Sequence, residues 1–259
     1  MQRLGPAAFF IFFICGLSSG VRSWAVESEV GYEHWDFSFF SPSRIWRVKM
    51  QELIEKGQTN YVEYIRTHRF DYRDNTYHVG YTGLSQGWGW DFKYGNTPKA
   101  AVMYRHLAQL TLYLPPPGYH LEPSITGALR RYTEAKVSTG ELGLRWSPLA
   151  GWEAKAKWGR IRTELLGPVP QKKFSDSTSY QLGYMWTSAL RLSMSQGSWK
   201  EFFDPGNPLN PAEYEVTERG GSFTWFFPAD VQLTGAYSLE RRSNDTSVKK
   251  YGVFFRQAY

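Results

Sequence analysis

The last nine residues, Tyr251–Tyr259, read Y-G-V-F-F-R-Q-A-Y, and this stretch indicates the fold more clearly than any other. Its apolar side chains occupy one side of a period-2 pattern, which only Gln257 interrupts: Tyr251, Val253, Phe255 and Tyr259. Alternation of this kind predicts a β-strand with one apolar face and one polar face. A strand that faces lipid and ends on an aromatic residue is typical of the closing strand of an outer-membrane β-barrel.

The first 25 residues have the pattern of a secretory signal peptide. A short basic start is followed by the apolar run Ala7–Leu17, whose 11 residues are fewer than the ~20 that a membrane-spanning helix needs. Small residues at Ser23 and Ala25 suit a cleavage site after position 25. We therefore expect a signal peptide over 1–25 and one barrel domain over 26–259; the alternative is an uncleaved N-terminal anchor.

Composition excludes several kinds of chemistry. Cys15 is the only cysteine and lies within the expected signal peptide, so the mature chain has no disulfide, thiolate nucleophile or cysteine-ligated metal. Aromatic residues make up 17% of the chain although the mean hydropathy is only −0.47. Many aromatic residues in a chain of low hydropathy favour alternating strands, in which each apolar residue is followed by a polar one.

Period-2 alternation recurs along the whole chain and predicts an all-β, antiparallel transmembrane β-barrel of about 14 strands, with 12 as the alternative. We expect strands near 26–37, 45–54, 59–69, 75–84, 86–95, 106–114, 119–131, 135–146, 151–162, 177–187, 189–199, 214–226, 230–240 and 248–259. A soluble exported β-sandwich or barrel is the competing fold, and it would have to bury many aromatic residues in a small core.

The expected connections alternate in length. Tight turns alternate with longer polar loops, which we expect near 38–44, 70–75, 96–105, 163–176, 200–213 and 241–247. The short connection between 131 and 135 is the exception. This alternation is expected when both termini lie in the periplasm and the long loops face outward.

Three segments resemble a known family. They are V-E-S-E-V-G-Y-E-H-W-D-F-S from Val26, D-N-T-Y-H-V-G-Y-T-G-L from Asp74 and W-G-W-D-F-K-Y-G from Trp88. They are similar to the YaiO-like outer-membrane β-barrel proteins, a resemblance that covers most of the mature chain and rests on strand rhythm and G-Y pairs. The resemblance implies a Gram-negative outer-membrane barrel and supplies no catalytic residues.

Strand alternation also predicts a charged wall inside the barrel. If Leu142, Leu144 and Trp146 face lipid, the residues between them face the lumen, and the same argument applies to the neighbouring strands. The charged wall then consists of Glu122, Arg130, Glu141, Arg145, Glu153, Lys155, Lys157 and Arg191. Two interpretations stay open: a constriction that selects solutes by charge, or a salt-bridged plug that holds a narrow barrel closed.

The histidines give no catalytic or metal pattern. None of the five has metal-ligand spacing, and no G-x-S-x-G motif occurs. His78 and His106 are the two that could meet a serine or an acid at the barrel rim, but we expect each histidine to lie on the surface. We therefore expect no enzymatic activity, no metal and no cofactor.

The expected partners follow from an outer-membrane location. The basic pairs Lys172-Lys173, Arg241-Arg242 and Lys249-Lys250 could bind lipopolysaccharide phosphates or be ordinary solvated charge. We expect contacts with outer-membrane lipid and the barrel-assembly machinery, and none with nucleic acid. The leading function is a small-solute pore or structural membrane component. The alternatives are an outer-membrane enzyme that modifies lipid or lipopolysaccharide and an accessory barrel in polysaccharide secretion.

Overall fold

The computed structural model describes residues 26–55, 57–115, 120–166, 171–202 and 213–259. The expected signal peptide lies outside these residues. The described chain is all-β and has fourteen strands. They are β1 (Val26–Phe37), β2 (Ser43–Glu55), β3 (Gln58–Arg69), β4 (Tyr72–Ser85), β5 (Trp88–Asn96), β6 (His106–Tyr113), β7 (Leu121–Arg131), β8 (Ala135–Trp146), β9 (Trp152–Leu165), β10 (Gln171–Thr187), β11 (Leu190–Glu201), β12 (Tyr214–Phe227), β13 (Val231–Arg242) and β14 (Ser247–Ala258).

The strands form a closed antiparallel barrel in which each strand pairs with its neighbours in sequence. Strand β14 closes the ring against β1, in a register that runs from Glu27 opposite Ala258 to Phe37 opposite Val248. At the end of this seam the backbone N–H of Tyr259 donates to the carbonyl of Val26 at 2.8 Å. The predicted count of 14 strands is confirmed, and the alternative of 12 is wrong. No helix among the described residues is long and apolar enough to cross a bilayer.

The pleat divides each strand into an outward row and an inward row. Val30 lies opposite Phe255 across the closing seam, and both side chains are exposed on the outside. Other outward rows carry the predicted apolar sets, such as Phe92 and Tyr94 on β5. Polar and charged side chains fill the inward rows, so the apolar surface of this barrel faces away from its interior, as a lipid environment requires.

The barrel has two distinct mouths. The terminal mouth is the end at which β1 begins and β14 ends. Exposed indoles gather there on the outside, at Trp88, Trp146, Trp152 and Trp186. The loop mouth is the opposite end. Tryptophans at one rim are the pattern expected where a barrel meets the headgroup layer.

The predicted strand boundaries lie within three residues of the observed ones, except at the start of β10. That strand begins at Gln171, so the predicted loop 163–176 is wrong. The predicted loop 70–75 is a two-residue turn in which Phe70 and Asp71 both have positive φ, at 49° and 66°. The tight turn predicted between β6 and β7 includes residues 116–119, which lie outside the described residues.

Candidate functional site: the barrel lumen

The charged wall lies on the inward rows of β7, β8, β9 and β11. Register places Glu122 opposite Arg145 on β7 and β8, and Arg145 opposite Lys155 on β8 and β9. These side chains point inward because the residues between them, such as Leu144, are exposed on the outer face. Strands β7, β8 and β9 therefore present acids and bases side by side to the lumen.

Glu153 is the centre of the wall. Its buried carboxylate accepts a hydrogen bond from Arg145 Nε at 2.6 Å and lies 3.0 Å from Lys155 Nζ. Arg191, from β11, contacts the same carboxylate across the intervening strand. Arg145 also donates from Nη1 to Glu122 at 3.0 Å. One carboxylate thus holds three cations, and together with Glu122 these groups form a connected cluster near the terminal mouth.

The remaining wall residues are more loosely held. Lys157 lies 3.9 Å from Glu141, at the outer limit of an ion pair. Arg130 donates to the hydroxyl of Thr139 at 3.4 Å, and no ion pair of Arg130 is formed within the described residues. Five of the eight residues are therefore joined in one cluster, and three lie beside it.

A cavity of about 650 Å³ adjoins the charged wall inside the barrel. Six wall residues line it: Glu122, Arg130, Glu141, Arg145, Lys155 and Lys157. The rest of its lining includes the hydroxyls of Thr111, Thr126 and Thr139. Charged groups and hydroxyls together can replace the hydration shell of a small polar solute, which apolar walls cannot do.

A second charged network on the opposite wall was not found from the sequence. Its centre is Glu63 on β3, which is buried and contacts Arg47 at 3.2 Å and Lys93 at 3.5 Å. The same carboxylate lies 2.5 Å from Nδ1 of His78 on β4. The only signal in the sequence was the inward position of these residues in adjacent strands.

His78 corrects one prediction. The expectation of a surface histidine is wrong at this position, because His78 is 4% exposed, whereas His106 is exposed as expected. Both ring nitrogens of His78 are in use, Nδ1 at Glu63 and Nε2 at the hydroxyl of Tyr104, 2.5 Å away. Neither nitrogen is therefore available to take a proton from a nucleophile.

The connection between β5 and β6, which we call the inner loop (residues 97–105), folds into the lumen. Ala100, Val102 and Tyr104 are buried. The prediction of an outward polar loop here is therefore wrong. An apolar run, A-A-V-M-Y over 100–104, is the sequence feature that could have indicated burial.

Asp74 fastens the inner loop to the wall. Its buried carboxylate, on the inward row of β4, accepts hydrogen bonds from the backbone N–H groups of Ala101 (2.9 Å), Val102 (2.8 Å) and Met103 (2.7 Å). The hydroxyls of Thr76 and Thr97 lie 2.8 Å apart at the base of the loop. These contacts give hydrogen-bond partners to backbone N–H groups that would otherwise be buried and unpaired.

Tyr104 forms the second attachment of the inner loop. Burial raises the pKa of its phenol, and the hydroxyl lies within hydrogen-bond distance of Nε2 of His78. Through His78, whose Nδ1 contacts Glu63, the inner loop is joined to the second charged network. Gly95 on β5 makes room for the imidazole of His78, because a Cβ at position 95 would overlap that ring.

A third cluster lies towards the loop mouth. Glu240, which is buried, lies 2.5 Å from Arg242 and 2.8 Å from Lys250. Lys250 also lies 3.0 Å from Glu218 on β12. A smaller cavity of about 370 Å³, which Trp35 and Trp199 line, adjoins this cluster. The described residues contain no group of histidines and carboxylates arranged to hold a metal.

The basic pairs of the sequence are divided by the strand pleat. In each pair the first residue points outward and is exposed, whereas the second points inward. Lys172, Arg241 and Lys249 lie outside; Lys173, Arg242 and Lys250 lie inside, where each forms an ion pair. The pairs are therefore not double charges on one surface.

Comparisons with known proteins show the fold. Three solved structures superpose over nearly the whole barrel: OmpT, an outer-membrane protein of Vibrio cholerae (TM-score 0.56, 9% identity, 93% of this chain and 99% of that one), an anion-selective porin from Comamonas acidovorans (0.53, 6%, 92% and 99%) and OccK3 of Pseudomonas aeruginosa (0.50, 9%, 96% and 99%). No family model and no curated protein matches the sequence. The chain therefore has the fold of outer-membrane β-barrels, and its resemblance to the YaiO-like family stays a prediction.

Proposed function

We propose that the protein is an outer-membrane channel for small polar solutes. The observation that carries this proposal is the cavity of about 650 Å³ within the barrel, lined by charged groups and hydroxyls. The outward apolar rows and the rim of indoles support an outer-membrane location. The similarity of the fold to an anion-selective porin supports a channel of this general kind.

Passage of a solute through the barrel requires no covalent reaction. A solute that enters at the loop mouth passes the inner loop and reaches the charged wall, where hydroxyls and charges replace its water shell. The wall has five bases and three acids, Glu122, Glu141 and Glu153. Arg130 and Lys157 are the bases held least tightly by carboxylates. This excess of positive charge favours anions over cations.

Conductance across a planar bilayer tests the proposal. Purified protein should insert and give stepwise currents, and a salt gradient should give a reversal potential of the sign that anion preference requires. Currents with cation preference would contradict the role of the charged wall, and absence of current would contradict the channel.

A barrel with a closed lumen is the second candidate. The ion-pair networks around Glu63, Glu153 and Glu240 and the inner loop favour it, because they occupy space that a solute would need. Such a barrel would be a structural component of the membrane. It predicts no current in the bilayer experiment, with the protein folded and inserted.

A further inference from the structure

The outer surface of the barrel is asymmetric in charge. Among described strand residues, the outward rows near the terminal mouth have a single charged residue, Glu52. The outward rows of the half nearer the loop mouth carry many bases, which we call the basic collar: Arg44, Arg66, Arg73, Arg131, Lys136, Arg160, Arg162, Lys172, Lys200, Arg219, Arg241 and Lys249. The outward acids in this half are Asp36, Glu164, Asp176 and Glu215.

Few bases of the collar are neutralised by the protein. Arg162 lies 3.6 Å from Glu164, and Lys200 lies 2.9 Å from Glu215. The ion pairs among the described residues include none of the other ten. All twelve bases are exposed. A belt of unpaired bases around one end of a barrel requires anions from outside the protein.

The collar lies directly beyond the apolar band. On β9, Arg160 follows the exposed Trp158 in the outward row, and on β8 Gly140 lies opposite Arg160. A Cβ on Gly140 would meet nothing within 4 Å, so the surface beside Arg160 is open. This depth is where lipid headgroups meet the hydrocarbon layer.

An apolar groove of about 570 Å³ lies next to the collar on the same strands. The small side chains of Ala154 and Ala156 form its floor, and Trp146, Tyr180 and Met194 form its sides. Arg219, a residue of the collar, also lines it. The apolar groove and the adjacent base Arg219 together match a molecule with an acyl chain and an anionic headgroup.

We propose that the basic collar binds the phosphate groups of anionic outer-leaflet lipid, with an acyl chain in the groove over Ala154 and Ala156. The occupant is a phosphorylated glycolipid of the lipid A type, because its headgroup carries phosphates at the depth of the collar. This places the loop mouth at the outer leaflet and the indole rim at the inner leaflet. The proposal rests on the membrane location proposed above and is independent of solute passage.

Lipid titration of the full-length protein in detergent, followed by native mass spectrometry, tests this proposal. The outer variant R160Q/K172Q/R219Q removes three positive charges from the collar. The matched inner variant R130Q/K157Q/K173Q removes three from the lumenal rows of β7, β9 and β10, at residues that do not line the groove. Retention of a compact, heat-modifiable form shows that each variant is folded.

The outer variant should bind lipid A bisphosphate roughly ten- to a hundredfold more weakly, whereas the inner variant should bind as the wild-type protein does. Dephosphorylated lipid A should bind weakly to all three proteins, and millimolar inorganic phosphate should not displace the phosphorylated lipid. Equal binding by the outer and inner variants would overturn the proposal, as would equal binding of the two lipids or displacement by free phosphate. Bilayer conductance is measured separately, so failure here leaves the channel proposal standing.

Discussion

At the residue scale, the single carboxylate of Glu153 holds three cations of the charged wall in position. We expect Glu153→Gln to lower the free energy of unfolding by about 1–3 kcal/mol, since three partly exposed cations lose the buried carboxylate that they share while the side-chain shape is retained. Urea unfolding in detergent micelles, followed by tryptophan fluorescence, measures this change.

Glu141→Gln is the matched control, because its nearest cation is 3.9 Å away and the side chain is partly exposed. It should cost less than about 1 kcal/mol. If the two substitutions have equal effects, Glu153 is not the centre of the wall.

The loosely held bases of the wall determine the predicted charge preference. Replacement of Arg130 and Lys157 by glutamate would leave three bases and five acids on the wall. The reversal potential in a salt gradient should therefore change sign, from anion to cation preference. Lys172→Glu, together with Lys249→Glu, makes the same charge change on the outer surface and should leave the reversal potential as it was.

The side on which a residue lies could be predicted at this scale, but its partner could not. Alternation alone assigns Glu153 and Arg191 to the inward rows, because the flanking positions are apolar. That these two residues touch depends on the register of three strands, across a separation of 38 residues. For the same reason the burial of His78 escaped prediction, since it depends on Glu63 and Tyr104.

At the scale of elements, the inner loop is the part of the lumen that can be released by one substitution. Asp74→Ala removes the acceptor of three backbone N–H groups, at a cost of about 1–3 kcal/mol for each buried group left unsatisfied. The loop should leave the lumen, and single-channel conductance should rise.

Asp36→Ala is the control for this variant, because Asp36 is an exposed acid on the outward row of β1. Its conductance should equal that of the wild-type protein. Unchanged or lower conductance in Asp74→Ala would show that the inner loop does not restrict the lumen.

The strands themselves could be predicted wherever lipid imposes a pattern. Within the apolar band every second residue must be apolar, so β1 and β8 were predicted with their observed ends. Beyond the band this constraint disappears: the outward residues Glu164, Lys172 and Asp176 are charged, so alternation predicts a loop over 163–176, where β9 and β10 in fact extend. The turn at Phe70 and Asp71 is shorter than the predicted loop 70–75, because Phe70 adopts a positive φ that a bulky residue rarely takes.

At the scale of the whole molecule, closure of the barrel leaves no free strand edge, which stabilises the fold in a bilayer. We expect the protein in the outer-membrane fraction. In SDS without heating it should migrate as a compact form, and after boiling as an unfolded chain. A product that fractionates with soluble periplasmic proteins would contradict the membrane barrel.

Strand number and closure could be predicted from the sequence because each strand has its own pattern and neighbours in sequence pair in space. The closing strand Tyr251–Tyr259 was predicted from its apolar stripe, and Phe255 and Val253 lie on the outer face. The side-chain contacts inside the lumen are harder to predict from the sequence, because inward residues face no lipid and follow no comparable pattern.

The most direct test of the central claim is single-channel recording of the wild-type protein in a planar lipid bilayer. The account predicts stepwise currents, a reversal potential that shows anion preference, and larger steps for Asp74→Ala. A folded, heat-modifiable protein that inserts into the bilayer and passes no current, in the wild-type form and in Asp74→Ala alike, would contradict it.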